Sequence, residues 1–413
     1  MRSTFSLIGS LLLATFCHAA DTRPAPDGRC ILSSPVTHSD WMVRKPAPKW
    51  GPEGVRQILD RCREAGLHRV YWRCFDGGRG LYPSRLLEPL HGFDEDNYHR
   101  GRDSEWLLDV LKPLDWGSFD TLKEAINYGR KIGIEVHAWL SINEDDHGWG
   151  LTSRFSRAHP ELRWVRRDGR PFRSQLSFAF PAVREYKLAL LREILAYKPD
   201  GIFFDWIRTG DVRDGPQTDA DGIAIHGYEQ PNVEIFKRQY GLEATAVPNN
   251  EERWIQIRAD PQTLFMRDAA AMIRKADPKM PITALVHHPW GYRGGPTETP
   301  YKDCRNGLLL DIRRWAADRL VDEFIPAGYY RNDGNAEKAY RWLQEETQGK
   351  PRVGVFGWIA SPEQFTGDTQ LVEKLGASEL LLWESDYLGL PPAKADLVSV
   401  MGSYAQSQAK KDK

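Results

Sequence analysis

The sequence has no excess of charge of either sign. Its 56 lysine and arginine residues nearly balance 57 aspartate and glutamate residues, which leaves a net charge of -1. Proteins that bind nucleic acid through surface charge need a basic excess, so we expect no nucleic-acid partner. Beyond the N-terminus, no stretch is long and apolar enough to cross a bilayer, and no transmembrane segment is expected.

The strongly apolar segment is the N-terminus. Arg2 precedes the run FSLIGSLLLATF, and small residues near Ala19 and Ala20 offer a cleavage site. This is the layout of a secretory signal peptide, and it is too short for a membrane span. We therefore expect residues 1–20 to be a signal peptide, residues 21–405 to form one domain and residues 406–413 to be a polar tail. The protein is expected to be exported, either to the periplasm or to the medium.

Cysteine is scarce. After removal of the signal peptide four cysteines remain: Cys30, Cys62, Cys74 and Cys304. Their scattered spacing fits no zinc-ligand pattern. In an exported protein they could form two disulfides or remain isolated buried thiols, and the sequence leaves both alternatives open.

Short apolar runs alternate with amphipathic stretches along most of the chain. Seven runs are predicted strands, at residues 68–74, 134–140, 201–205, 282–287, 321–326, 352–357 and 379–383, and a weaker first strand lies near CILSS or WMVRK. Apolar strands separated by helices are typical of a buried parallel sheet. No glycine-rich fingerprint follows the first strand, which weakens a dinucleotide-binding alternative. Eight strand–helix units predict an α/β fold, a single (β/α)8 TIM-type barrel.

Two long connections follow the second and fourth predicted strands, at residues 76–117 and 206–260. In a barrel, such loops lie on the catalytic face and shape the substrate cleft. Polar and aromatic residues gather where the apolar runs stop. We expect the following to bind substrate there: Trp72, Arg73, His137, Trp139, Trp206, Arg208, His288, Tyr329, Trp358 and Trp383. Indole rings beside hydrogen-bonding groups suit sugars, which present apolar C–H faces rimmed by hydroxyls, although a single tryptophan is more often a core residue.

A set of segments in this order resembles a known family. The segments are GRGLYPS (78–84), GIEVHAWL (133–140), HPELRWVRRDGR (159–170), PAVREYKLALLREIL (181–195), PDGIFFDWIR (199–208) and VDEFIPAGYY (321–330). Together they resemble the glycosyl-hydrolase-like family 10 proteins, which are exported (β/α)8 barrels, over about residues 40–390. The resemblance implies action on a polysaccharide or oligosaccharide, with a cell-wall glycan among the candidates. The Ala-Gly pair before Tyr329 and the loop NEDDHGWG depart from the family pattern, so the substrate can differ.

Glycoside hydrolysis needs two carboxyl groups, one ionised and one protonated. Asp205 ends the run GIFFD, and strand alternation places it on the same side as Phe203, toward the barrel axis. We expect Asp205 to be the nucleophile or base, with Arg208 favouring its charged form; the alternative is an Asp–Arg pair that only anchors the loop. Glu384 is our choice for the acid, because an apolar wall at Trp383 raises a carboxyl pKa. Its rivals are Asp333, Asp386, Glu144 and Asp145.

His137, His287 and His288 raise the alternative of a metal-dependent hydrolase. Adjacent strand residues point to opposite faces, so His287 and His288 cannot both bind one metal ion without distortion. We expect no metal and no cofactor, with His137 and His288 bonded to sugar hydroxyls or buried as core histidines. The main alternative function is a carbohydrate-binding barrel without catalysis, which would lack a second carboxylate near Asp205. The sugar, the linkage, the stereochemical outcome and the oligomeric state are left open.

Overall fold

The computed structural model describes residues 30–42, 44–90, 110, 113–147, 151–205, 207, 216–289, 301–327 and 335–410. The predicted signal peptide lies outside these residues. So do four of the residues singled out above: Trp206, Arg208, Tyr329 and Asp333.

The predicted α/β barrel is confirmed. Its strands are β1 (Ile31–Val36), β2 (Arg69–Asp76), β3 (Glu135–Ser141), β4 (Gly201–Asp205), β5 (Ile282–His287), β6 (Glu323–Ala327), β7 (Arg352–Val353 and Val355–Trp358) and β8 (Glu379–Trp383). Each of the seven predicted runs overlaps one of the strands β2 to β8. The first strand lies at CILSS, whereas WMVRK overlaps the short helix Ser39–Met42 and is not a strand.

A helix lies after each barrel strand. These helices are α1 (Pro52–Glu64), α2 (Thr121–Ile132), α3 (Pro181–Leu195), α4 (Glu252–Ala276), α5 (Ile312–Ala317), α6 (Asn335–Glu346), α7 (Pro362–Leu375) and α8 (Ala395–Lys410). The helix α2 shows how the sequence sets such bounds. The Asp120 side chain accepts a hydrogen bond from the Lys123 N–H, and Gly133 ends the helix in the left-handed conformation. Part of the predicted polar tail, residues 406–410, belongs to α8.

The connections carry shorter elements. Three further helices span Arg154–Ala158, Gln230–Tyr240 and Cys304–Leu308, and 3₁₀ turns lie at Pro160–Leu162, Ala244–Ala246 and Ser385–Leu388. Short strands lie at Arg79–Gly80, Glu88–Pro89, Asp146–His147, Leu151–Thr152, Arg163–Val165 and Pro171–Leu176. Residues 91–109 and 111–112 of the predicted long loop after β2, and residues 206 and 208–215 of the one after β4, fall outside the described residues.

The sheet nearly closes into a barrel through β7. All neighbouring strands are parallel, in the order β6, β5, β4, β3, β2, β1, β8, and the two segments of β7 pair with the two ends of this series. Gly354 separates the segments, and its N–H donates to the Phe324 carbonyl at 2.9 Å. A Cβ atom here would lie 3.1 Å from Ile325 and 3.2 Å from the Glu379 carbonyl, so glycine suits this crossing point.

Alternation along the strands separates two buried layers. One large apolar cluster fills the space between the sheet and the helices. A second cluster fills the barrel interior and consists of Tyr71, Trp139, Phe203, Leu285, Ile325, Ala327, Leu381 and Trp383, with Phe356 and Trp358 packed against it. Within it, Tyr71 and Phe203 stack with ring centroids 4.0 Å apart. Interior side chains of β2, β3, β4 and β8 therefore share one column that leads to the C-terminal face.

The four cysteines are buried and unpaired, which decides between the two alternatives for them in favour of isolated thiols. Burial raises the thiol pKa in each, to about 12 for Cys62, so these groups stay protonated and unreactive at neutral pH. Among the described helices, none is both long and apolar enough to span a bilayer.

Candidate active site

A buried guanidinium occupies the C-terminal end of the barrel. Arg73, near the end of β2, is 7% exposed, and one of its terminal nitrogens lies 3.0 Å from the Asp76 carboxylate. The other forms an ion pair with Glu144, in the loop after β3. The guanidinium carbon lies 4.6 Å from the ring centroid of Trp139 on β3, a cation–π contact. Arg73 is thus held from three directions.

Two further carboxylates act on Arg73 electrostatically, namely Asp205 and Glu384. Burial alone would lower the pKa of Arg73, but the carboxylates of Asp76, Glu144, Asp205 and Glu384 outweigh it, and the pKa lies above its ordinary value. The guanidinium is therefore a fixed positive charge among four carboxyl groups, which come from different strand ends.

Asp205 is the last residue of β4 and is 1% exposed. Asp205 is two residues after Phe203, which belongs to the interior cluster. Because side chains alternate along a strand, the Asp205 side chain also faces the barrel interior. Its carbonyl accepts a hydrogen bond from the Ile142 N–H at 3.0 Å, which ties the ends of β3 and β4 together. Arg208, its predicted partner, lies outside the described residues; Arg73 is a cation from another strand that interacts with it.

Glu384 follows β8 directly and remains partly accessible. Burial raises the pKa of its carboxyl to about 8, and the negative charge of Asp386 adds to this effect while Arg73 opposes it. The carboxyl is therefore mostly protonated at neutral pH. This is the direction predicted from the apolar wall at Trp383, and a general acid needs it.

The rivals that lie in the described residues have other partners. Asp145 forms a buried ion pair with Lys187 of α3, with N and O 2.5 Å apart, and Glu144 is paired with Arg73. Burial raises the pKa of Asp386 to about 6, and the charge of Asp40 contributes to this. Asp386 is 8% exposed, and its pKa is raised less far than that of Glu384.

Three tryptophans lie at this end of the barrel, but they differ in exposure. Trp139 is fully buried, and its ring centroid lies 5.4 Å from that of Trp383, which is 8% exposed. These two rings form the floor beneath Arg73 rather than an open stacking surface. Trp358, opposite Trp383 in the sheet register, is only half-buried. Its ring is therefore less enclosed than those of Trp139 and Trp383.

Two of the predicted substrate-binding residues lie elsewhere. Trp72 belongs to the layer between sheet and helices, where its indole N–H donates to the Thr121 hydroxyl at 3.4 Å.

His137 lies in the lower half of β3, fully buried against Gly201 and 3.3 Å from Glu135. Burial lowers the pKa of His137 to about 3, with the charge of Arg69 acting in the same direction. It is a neutral core histidine rather than a cleft residue.

His287 ends β5, His288 follows it, and each is 3% exposed. The His288 carbonyl accepts a hydrogen bond from the Tyr301 hydroxyl at 2.7 Å, which ties this strand end to the segment before the helix Cys304–Leu308. Within the described residues, no group of three or more histidine, cysteine, aspartate or glutamate side chains has a geometry that could hold a metal ion.

Sequence reasoning missed a polar support around the carboxyl groups. His38 lies 3.2 Å from Asp76, behind Arg73. Asp40 binds Arg44 at 2.6 Å and accepts a hydrogen bond from the Ser385 hydroxyl at 2.7 Å, next to Glu384. The segment HSDW follows β1, so its position at a predicted strand end was the available signal.

The motif GRGLYPS proves to be an anchor. The Glu193 carboxylate on α3 accepts hydrogen bonds from the Tyr82 hydroxyl at 2.8 Å, the Ser84 hydroxyl at 2.6 Å and the Arg85 N–H at 2.7 Å. The single Glu193 carboxylate thereby fixes the start of the loop after β2. Tyr82 and Ser84 therefore have a positioning role rather than a role in the reaction.

A cavity of about 780 Å³ lies at the opposite face and carries none of the predicted site residues. Its lining includes Arg69, Glu135 and Arg352 at the N-terminal ends of the strands. Arg69 is held by Glu379 at 2.6 Å and Glu135 at 2.9 Å. Because barrel chemistry is found at the C-terminal face, we place the candidate site at Asp205 and Glu384.

Comparison with known proteins agrees with this architecture. A family model described as Glycosyl hydrolase-like 10 matches residues 55–356. Sequence comparison with curated proteins finds no match. Among solved structures, the catalytic domain of a beta-amylase from Paenibacillus polymyxa is similar with a TM-score of 0.56 and 12% identity, over 91% of this chain and 98% of that one.

Two other similar structures are glycosidases as well. A GH42 beta-galactosidase from G. stearothermophilus gives a TM-score of 0.54 at 11% identity, over 93% of this chain and 57% of that one. An endo-1,4-beta-mannanase from Rhizomucor miehei gives 0.50 at 10% identity, over 92% and 95%. At such identities the likeness shows the fold alone.

Proposed function

The chain belongs to the glycosyl hydrolase-like 10 family, and on that premise we propose that it hydrolyses glycosidic bonds in a polysaccharide. Asp205 is the nucleophile or base, and Glu384 is the acid. The observation that carries the proposal is the difference between two carboxyl groups at one barrel end. Burial raises the pKa of Glu384 to about 8, whereas Asp205 interacts electrostatically with the fixed positive charge of Arg73.

This difference matches the chemistry of glycoside hydrolysis. The protonated carboxyl of Glu384 donates its proton to the glycosidic oxygen as the bond to the leaving sugar breaks. The ionised Asp205 either attacks the anomeric carbon or removes a proton from the water that does so. Trp358 offers a half-buried ring for a sugar face next to these groups. The exported location predicted from the N-terminus is compatible with a polymeric substrate, such as a cell-wall glycan.

The test is hydrolysis of a panel of plant and bacterial-wall glycans by the purified protein and three variants. We expect Asp205→Asn and Glu384→Gln each to lower turnover by at least about a hundredfold, since each removes a proton-transfer or nucleophilic group while keeping side-chain size. Glu185→Gln is the matched control, because Glu185 is an exposed carboxylate on α3, and it should retain wild-type turnover. Thermal unfolding of all four proteins separates lost chemistry from lost folding.

Turnover by Asp205→Asn at the wild-type rate would remove Asp205 from the reaction. Binding of glycans without cleavage by the wild-type protein would instead support the alternative of a non-catalytic carbohydrate-binding barrel. For a cleaved substrate, proton NMR of the first product anomer distinguishes retention, in which Asp205 is the nucleophile, from inversion, in which it is the base.

A further inference from the structure

We propose that Arg73 is the positioning residue that sets the two protonation states of the site, keeping Asp205 ionised and leaving a single proton on Glu384. The sequence suggested a substrate-binding role for Arg73, but the buried position and the contacts of this side chain indicate otherwise. The inference rests on the proposed function, since it concerns the same two carboxyl groups.

The first argument is the place of the guanidinium. Its two terminal nitrogens are already used by Asp76, at 3.0 Å, and by Glu144. Its Nε donates to the Phe75 carbonyl at 3.3 Å, and one face lies against Trp139. A side chain that is 7% exposed and bonded on these sides has little left to offer a sugar hydroxyl.

The second argument is the charge count around this cation. Asp76, Glu144, Asp205 and Glu384 all act on Arg73. One guanidinium cannot neutralise four carboxylates in a buried site. The carboxyl group that interacts most weakly with a cation therefore keeps its proton. Asp76 has Arg73 and His38 as close partners, and Glu144 has a direct ion pair. Glu384 faces Asp386 and Asp40 as well, and their charges oppose its ionisation.

The third argument is the route by which the charge acts. Arg73 covers Trp139, and Trp139 packs against Trp383, the residue that precedes Glu384. Asp205, on β4, lies at the same end of the barrel. It is paired in the sheet register with Ser141, two residues beyond Trp139. The guanidinium therefore stands between the ends of β4 and β8, and its charge acts on both carboxyl groups from a buried position.

The proposal predicts opposite effects for two neighbouring substitutions. Arg73→Gln removes the cation, so the pKa of Glu384 should rise by about one unit or more. Glu144→Gln removes an anion that now offsets the same cation, so the pKa of Glu384 should fall. Both are measured by carbon NMR titration of ¹³C-labelled glutamate carboxyls, with the Glu384 signal identified by its loss in Glu384→Gln. This titration needs no substrate, so a failure to find glycan cleavage leaves it intact.

If a substrate is found, the pH–rate profile gives a second readout. Both limbs of the profile should move to higher pH in Arg73→Gln and to lower pH in Glu144→Gln. Arg73→Lys keeps the charge while losing the forked geometry, so it should leave the Glu384 titration close to that of the wild type. If Arg73→Gln does not fold, the Lys variant and Glu144→Gln still give the comparison.

A purely structural Arg73 would behave differently. All three variants would then lose thermal stability while the titration of Glu384 stayed at its wild-type pH, and this result would overturn the proposal. Shifts of the same sign in Arg73→Gln and Glu144→Gln would overturn it too. If no glycan is cleaved but the pKa of Glu384 shifts in opposite directions in the two variants, the proposed function is wrong and the role of Arg73 is supported.

Discussion

Replacing Glu384 by glutamine should change how the stability of the protein depends on pH. The carboxyl has a pKa of about 8 in the folded protein, against an ordinary value of 4.5. Between these two pH values the folded state holds a proton that the unfolded chain releases. The stabilisation from this proton is fully present below pH 4.5 and is lost as the pH rises through about 8.

The size of the effect follows from this interval. At about 1.4 kcal/mol for each pH unit, the interval from pH 4.5 to about 8 gives an upper bound on the stabilisation from this proton. The bound is about 5 kcal/mol in the free energy of unfolding. Glu384 is partly accessible, and water reduces the effect, so we expect about 2–4 kcal/mol. Glutamine resembles the protonated carboxyl and never ionises. The Glu384→Gln variant should therefore come within about 1 kcal/mol of the wild type near pH 5 and exceed its stability at about pH 9.

The assay is urea unfolding of both proteins at a series of pH values between about 5 and 9, with the difference between them as the result. The difference is needed because other buried carboxyls titrate in both proteins, among them Glu379, whose pKa burial raises to about 7. Glu185→Gln, at an exposed position, should give a difference that does not vary with pH. A pH-independent difference for Glu384→Gln, or a variant less stable than the wild type at pH 9, would refute the reasoning.

Two further predictions concern binding and packing. Trp358→Ala should raise the KM for a cleaved glycan by roughly tenfold and change kcat less, because a half-buried ring beside the carboxyl groups contributes ground-state binding; a fall in kcat alone would contradict this. Gly201→Ala should lower the free energy of unfolding by about 2 kcal/mol or more, because its Cβ would lie 2.4 Å from the His137 ring. Gly367→Ala, in open space on α7, is its control and should raise stability by about 0.5–1 kcal/mol. Equal thermal shifts in the two glycine variants would show that His137 does not fill that space.

The barrel could be predicted because its strands carry their own signal. The runs IFF in GIFFD and LLLW in ELLLW are continuously apolar, and a sheet covered by helices requires such runs in its strands. The position of Asp205 followed from the same reasoning, since a carboxylate at the end of such a run lies at the catalytic face. Glu384 followed from its apolar neighbour Trp383. Both predictions depended on local sequence alone.

The site residues that were placed elsewhere show where local sequence fails. Trp72 and Arg73 are adjacent, and only the parity of β2 decides that the arginine faces the barrel interior while the tryptophan faces the helices. His137 has the inward parity but lies too low on β3 to reach the cleft. The role of Arg73 depends on one carboxylate of its own strand, Asp76, and on carboxyl groups from three other segments of the chain. Contacts between residues so far apart in the chain cannot be recognised from a single stretch of sequence.

The interruption at Gly354 has a consequence for how the barrel opens. The first flanking segment pairs with β6 at two positions and the second pairs with β8 at four, so the ladder between β6 and β7 is the shortest of the described barrel. Thermal breathing of a closed sheet concentrates where the ladder is shortest. The second segment ends at Trp358, beside the strand that leads to Glu384. The shortest ladder of the described barrel therefore lies on the side of β7 away from β8 and Glu384, and we expect the scaffold to widen there around the proposed substrate without disturbing β2, β3 and β4.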